Sequence, residues 1–209
     1  MNGFERRKRN KTEQIFDVAF RMFSQYGFSK VSVNEIAEQA NVSPATIYNY
    51  FGTKERLYID MLRHWMDKQL ARYEAILLDS VLSFPEKTKR IMLLEAGNVK
   101  FLSDELGQVP HSEQGRLAGM MERYAEEKVG AFFRHYVALG KREGYVREEL
   151  PDEVAAIYFT MYKNELERLW SADGSGRSDR HIERLMELFF YGLVGQSKDG
   201  DGGERSSDD

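Results

Sequence analysis

Hydrophobic positions at the start of the chain fall at helical spacing. Between residues 11 and 26 they are Ile15, Val18, Ala19, Met22, Phe23 and Tyr26, one stripe at i, i+3, i+4, i+7, i+8 and i+11. Gly27 follows, the residue type that most easily takes the left-handed conformation after a helix. Two brief apolar groups come next, Ile36, Ala37 and Ala40, then Ile47 and Phe51. A long element starts at residue 54 and carries Leu57, Met61 and Trp65 out to about residue 78. Pro85, suited to the first position of a helix, introduces another over 86–105, and 106–112 with Gly107 and Pro110 reads as a loop. Residues 113–143 carry a further stripe, but each of the glycines at 115, 119, 130 and 140 costs about 0.8–1 kcal/mol relative to Ala in a helix interior, so a break near Gly119 is predicted. Gly144 stops that segment, and Pro151 opens a helix over 152–170. A last stripe covers 181–194. The pattern predicts an all-α protein.

The short pair at 33–51 has the densest punctuation. Ser32 with Glu35 three residues on makes a capping box, each side chain satisfying an otherwise orphaned backbone N–H. Asn41 tolerates the left-handed turn between the helices, and Val42 is placed to plug back into the core. Ser43 is a second N-cap, with Pro44 at N1. Ile47 and Phe51 form the buried pair, which leaves Ala45, Thr46, Tyr48, Asn49 and, at the edge, Tyr50 outside. Gly52 stops the helix, Thr53 caps the next and Lys54 follows. A generic bundle also holds short amphipathic pairs. The order of caps and stops here is that of a helix-turn-helix, whose second helix presents its N-terminal residues to base edges in a DNA major groove.

The run A-N-V-S-P-A-T-I-Y-N-Y-F-G-T-K-E-R-L resembles the recognition segment of the tetracycline-repressor (TetR) family of bacterial transcription regulators. The likeness extends upstream through F-R-M-F-S-Q-Y-G-F and V-S-V-N-E-I-A and covers about residues 10–62. Asn41 stands where that family usually has Gly, a mild change. Ala45 and Asn49 stand where Gly and His are common, on the DNA-facing surface, and so bear on the operator sequence rather than on the fold. The resemblance assigns DNA contact to Thr46, Tyr48, Tyr50 and Lys54, the last two on phosphates; Ser43, Ala45 and Asn49 join them from the helix face. It also implies dimerisation through the last two helices as a four-helix bundle.

Composition narrows the remaining possibilities. With no cysteine, disulfides, thiolate metal sites and thiol catalysis are excluded. Four scattered histidines lack metal-binding spacing, so neither a catalytic nor a metal site is expected, and no cofactor. No signal peptide or bilayer-length apolar run is present, and a cytoplasmic location with no membrane contact is expected. Net charge is −4, but residues 1–58 hold nine Lys/Arg against six Asp/Glu, leaving twenty-one against twenty-eight in the remainder. That polarity fits a nucleic-acid-binding end on an acidic body. The basic run from Arg6 to Lys11 either lies along phosphates, with Arg7 and Arg9 as contacts, or is a solvated terminus.

The expected organisation is a basic arm over 1–11, a three-helix helix-turn-helix domain over 12–62, a helical effector-binding and dimerisation domain over 63–196 and a disordered acidic tail over 197–209, with one long helix joining the two domains. Candidate effector-lining residues are Phe101, Met121, Tyr124, Phe132, Tyr136, Tyr158 and Tyr162, with Glu95 and Asn98 as polar groups that need a partner if buried. The same aromatic and methionine positions also suit a solid core. The breadth of the last two stripes points to burial against a second subunit through Met161, Glu165, Leu169, Ile182, Leu185, Met186, Phe189 and Leu193. The function expected is a homodimeric repressor that binds a palindromic operator in double-stranded DNA and is released by a small, partly apolar effector; it is not expected to be an enzyme. The alternative is a DNA-binding protein of the same fold controlled by a protein partner. An all-α enzyme or small-molecule binder without DNA is disfavoured by the helix-turn-helix.

Overall fold

A computed structural model describes residues 3–106, 109–172, 184 and 187–189. It contains eight α-helices among the described residues: α1 (Gly3–Tyr26), α2 (Val33–Gln39), α3 (Pro44–Phe51), α4 (Lys54–Leu78), α5 (Phe84–Leu106), α6 (Gln114–Tyr124), α7 (Gly130–Arg142) and α8 (Asp152–Ala172). Among those residues no strand occurs, and no helix is long and apolar enough to cross a membrane. Of the stripe expected over 181–194 only 184 and 187–189 are described, and the tail expected over 197–209 lies outside the described residues.

The N-terminal unit packs α1, α2 and α3 against the first half of α4. Ile15, Ala19, Phe23, Ile36, Ala37, Ile47, Leu57, Tyr58, Met61 and Leu62 are fully buried there. Phe16 joins that face, whereas Tyr26, expected on it, points to solvent. The helix ends follow their sequence signals. Ser32 and Glu35 complete the capping box, and the Ser32 hydrogen bonds hold the Glu35 carboxyl below its ordinary pKa. Asn41 turns with φ of 48°, and Gly52 ends α3 with φ of 81°. Thr53 caps α4 by accepting from Arg56 N–H.

Helix α1 starts at Gly3, eight residues before the sequence predicted. The Arg/Lys run favours helix, since straight-chain residues lose little rotamer freedom there. The 1–11 arm is thus, from Gly3 onward, the first two turns of α1.

In the second unit α5 lies against α8, and α4 continues past α5 and α7. Ser83, not Phe84, is the N-cap of α5: its backbone N–H and its hydroxyl donate to Glu86 Oε2 at 2.9 and 2.7 Å, which moves Pro85 to the second helical position. Thr88 is buried between α5 and α7, its hydroxyl bonded to Phe84 O and Tyr136 Oη, both at 2.9 Å.

The break predicted near Gly119 is displaced. Residues Ala125–Val129 form a π turn, closed by Gly130 N–H donating to Ala125 O. Gly119 itself stays within α6. Gly140 has a different role. A Cβ there would stand 2.6 Å from Val146 Cγ2 and 2.7 Å from Phe84 Cζ, so the glycine allows α7 to close onto the start of α5. Gly140→Ala should destabilise the protein by about 1–3 kcal/mol through overpacking. Thermal or urea denaturation checks this, and an unchanged midpoint would refute it.

The two units meet on an aromatic seam. Phe101 of α5 stacks on Phe20 of α1 (5.4 Å between centroids) and on Trp65 of α4 (4.7 Å). Lys68 Nζ reaches Asp17 Oδ1 at 2.7 Å between α4 and α1, an exposed pair worth at most about 1 kcal/mol. His64 stacks on Phe16 at 4.9 Å, and burial, then the Lys68 charge, lowers its pKa.

Candidate nucleic-acid interface and internal cavity

Helix α3 fulfils the geometry its sequence implies. Ser43 Oγ accepts from Thr46 N–H at 3.2 Å and bonds Thr46 Oγ1 at 2.9 Å, which fixes the first turn. Ile47 and Phe51 are buried, and Phe51 packs on Phe16 of α1 at 5.4 Å. Ser43, Ala45 and Asn49 are exposed and Thr46 half-buried, while Tyr48 and Tyr50 keep 50% and 37% of their surface. One helix face therefore offers hydroxyls, an amide and two phenols, the donor and acceptor set that reads base edges and holds phosphates.

The flanking cations are arranged less simply. Lys54 Nζ lies 4.2 Å above the Phe28 ring, and burial lowers its pKa against the opposing pull of Glu55 and Glu35. It braces the start of α4 besides standing beside the α3 surface. Arg7 and Arg9 are exposed on α1, with Arg9 paired to Glu13 at 3.7 Å. The cation that touches the candidate recognition helix is Lys8, 5.7 Å over the Tyr50 ring. Sequence reading missed it. Extending the α1 stripe back from Ile15 by two turns would have found it, because i−7 lies on the same face.

Lys54→Gln keeps most of the stem over Phe28 and removes the charge. It should weaken DNA binding on every sequence alike and lower the slope of log K against log salt by about one. A titration from low to moderate salt measures this; an unchanged slope would place Lys54 off the phosphates.

A cavity of about 600 Å³ opens between α4, α5, α7, α8 and the π turn. Leu70, Tyr73, Ile91, Phe132, Phe133 and Phe159 give it an apolar wall; Arg134, Asp152 and Glu153, all exposed, also line it. Glu95 lines it too, and also lines a 90 Å³ recess with Trp65, Gln69, Asn98 and Tyr124. A second cavity of about 420 Å³ lies beyond, against Phe84, Tyr136, Arg147, Tyr158 and Phe189.

The predicted lining is thus divided. Phe132 and Glu95 line the main cavity, Asn98 and Tyr124 the recess, and Tyr136 and Tyr158 the second cavity. Phe101, Met121 and Tyr162 line none of these: Phe101 is held in the interdomain seam, Met121 packs half-buried against the core, and Tyr162 meets Tyr158 at a tilt and Phe189 edge-on, both at 5.0 Å. Glu95 and Asn98 each already have a partner within the chain. Tyr73 Oη donates to Glu95 Oε2 at 2.5 Å and accepts from Asn98 Nδ2 at 2.6 Å. Burial, then the Glu95 charge, pushes the Tyr73 phenol far above its ordinary pKa. Tyr73 sits on α4, outside the three helices expected to enclose the site, so the sequence did not reveal it as the hub.

For the association surface, Met161 is 62% exposed, with Ile157 at 62% and Val154 at 47% in the same row of α8. Glu165 is half-buried. Phe189 turns inward, tilted against Tyr158 at 5.1 Å and edge-on to Tyr162 at 5.0 Å, so its ring is engaged within the chain. The side chain of Leu169, and Ile182, Leu185, Met186 and Leu193, lie outside the described residues.

Comparison with known proteins agrees with this geometry. Residues 15–61 match the family described as bacterial regulatory proteins, tetR family. The regulator RutR of Escherichia coli K12 is 42% identical over 65 residues, 31% of either chain. An uncharacterized HTH-type transcriptional regulator of Bacillus subtilis, YdgC, is 21% identical over 197 residues, 94% of this chain and 97% of that one. Among solved structures, the transcriptional regulator FadR from Bacillus subtilis in complex with stearoyl-CoA superposes with a TM-score of 0.59 at 22% identity, covering 87% of this chain and 99% of that one. That last likeness concerns the fold alone.

Proposed function

We propose that the chain is a TetR-family transcriptional regulator, a homodimeric repressor released from its operator by a small, partly apolar effector. The observation that carries this reading is the path of α4. Its first turn, at Lys54, follows the candidate recognition helix directly, and sixteen residues on, Leu70 and Tyr73 form the wall of the 600 Å³ cavity. One rigid element thus spans the two sites. A ligand that prefers one tilt of α4 shifts the separation of two recognition helices in a dimer. By linkage, ligand and DNA then oppose each other reciprocally. Operator half-sites would lie one helical turn apart, about 34–36 Å, or more in a state that does not bind.

Binding of the full chain to the DNA upstream of its own coding sequence, followed by gel shift, tests the first half. A palindromic site should be retained over random DNA of equal length. Equal retention of both would reject specific operator binding. A small molecule that releases the complex supports effector control, whereas release only by a protein supports the partner-controlled alternative.

A further inference from the structure

The cavity wall carries a carboxylate that no side-chain cation answers. Glu95 lines both the 600 Å³ cavity and the 90 Å³ recess, and among the described residues no Lys, Arg or His pairs with it. Its hydrogen bond comes from Tyr73 Oη, itself held by Asn98. That chain fixes Glu95 Oε2 and leaves the other oxygen for a donor. In the same recess Tyr124 is 93% buried and directs its hydroxyl proton to the Asp67 carboxylate, and burial, then the Asp67 charge and that hydrogen bond, raise its pKa; the phenol oxygen keeps a lone pair for a donor. Tyr73, Phe132, Phe133 and Phe159 add ring faces and edges around the apolar body of the cavity. The other charged residues of the lining, Arg134, Asp152 and Glu153, are exposed, and Asp152 is engaged by Lys141 at 3.1 Å.

We propose that the recess holds the protonated amino group of a lipophilic amine, whose N–H groups donate to Glu95 and to the phenol oxygen of Tyr124 while its hydrocarbon body fills the main cavity. The claim deepens the reading of this cavity as the effector site and rests on it. An ammonium group supplies charge-assisted donors for the carboxylate, a donor for the open lone pair of the phenol oxygen, and a cation for the rings. A carboxylate or phosphate head would meet Glu95 at close range with no compensating cation in the recess. A trimethylammonium head carries the charge but has no N–H to give.

Calorimetric titration of the full chain with decylamine, decyltrimethylammonium, decanol and decanoate, each below its micelle concentration, tests this. Decylamine should bind tightest, the trimethyl compound about fivefold or more weaker, and decanoate weakest. Glu95→Gln keeps an acceptor for Tyr73 and should weaken decylamine about tenfold or more while leaving decanol unchanged. If that variant does not fold by circular dichroism, Tyr124→Phe carries the test, with a loss of about threefold or more for decylamine and none for decanol. The proposal is overturned if decanoate binds as well as decylamine, if none of the four compounds binds, or if the folded variant keeps the ratio of decylamine to decanol. Decylamine binding that leaves an operator complex intact would uphold this site and reject effector release, so the two failures are distinguishable.

Discussion

Tyr58→Ala is expected to cost about 3–5 kcal/mol of folding stability and to remove DNA binding at physiological temperature. Tyr58 is fully buried at the start of α4, edge-on to Phe23 of α1 (5.1 Å) and to Phe28 (5.0 Å). Those rings come from three separate stretches of chain, and Tyr58 is where they meet. Truncation removes its own buried area and strips both neighbours of an edge-to-face partner, each such pair worth about 0.5–1.5 kcal/mol beyond area. Collapse cannot refill the gap, because α1 and α4 are also pinned by Ile15, Ala19 and Leu62, all fully buried. The Phe28 segment also supports Lys54, so the damage reaches the edge of α3. Urea denaturation gives the stability change and a gel shift the loss of binding. Tyr58→Phe retains the rings and should cost much less. A loss below about 1 kcal/mol for Tyr58→Ala would mean that the site repacks.

Ile157→Asp combined with Met161→Asp should yield a folded monomer and reduce operator affinity about a hundredfold or more. In the single chain both side chains are 62% exposed, so two carboxylates there meet water and leave the fold intact. In a dimer closed through α8 they would face their own symmetry mates, since a two-fold interface apposes the same patch. Burying unpaired charges is then prohibitive. A monomer presents one recognition helix, and the gain from engaging two half-sites at once disappears. Sedimentation gives the assembly state and circular dichroism the fold. An intact dimer would assign the exposed row on α8 to another use. Phe189 is a poorer probe, because its ring packs against Tyr158 and Tyr162 inside the chain.

The helix-turn-helix was legible almost residue by residue because its determinants are local. Ser32 and Glu35, Asn41, Ser43 and Pro44, Gly52 and Thr53 each act within four residues, and each sits in the structure as its chemistry requires. The cavity was legible only in outline. Phe101, Phe132 and Tyr136 are alike in sequence, all aromatic on amphipathic helices. They nevertheless lie in a seam, a cavity and a second cavity, because helix packing angles decide which side of a helix finds an empty neighbour. Tyr73 escaped for the same reason: its bond to Glu95 joins residues 22 apart on different helices. The start of α1 was misplaced because a cluster of cations reads equally as a frayed end and as a helix, and only Lys8 over Tyr50 distinguishes them.

The π turn at Ala125–Val129 has a consequence for the phase of everything after it. A residue adds about 100° to an α-helix, so one surplus residue absorbed in a π turn sets how α7 is rotated relative to α6. Phe132 and Arg134 face the cavity in that phase. Excising Glu126, Glu127 or Lys128 would let α6 and α7 merge into one regular helix with no apolar side chain lost. The same sequence of side chains would then point elsewhere. The 600 Å³ cavity is in that sense a matter of count as much as of composition, because the phase of its α7 wall depends on one residue of the backbone ladder.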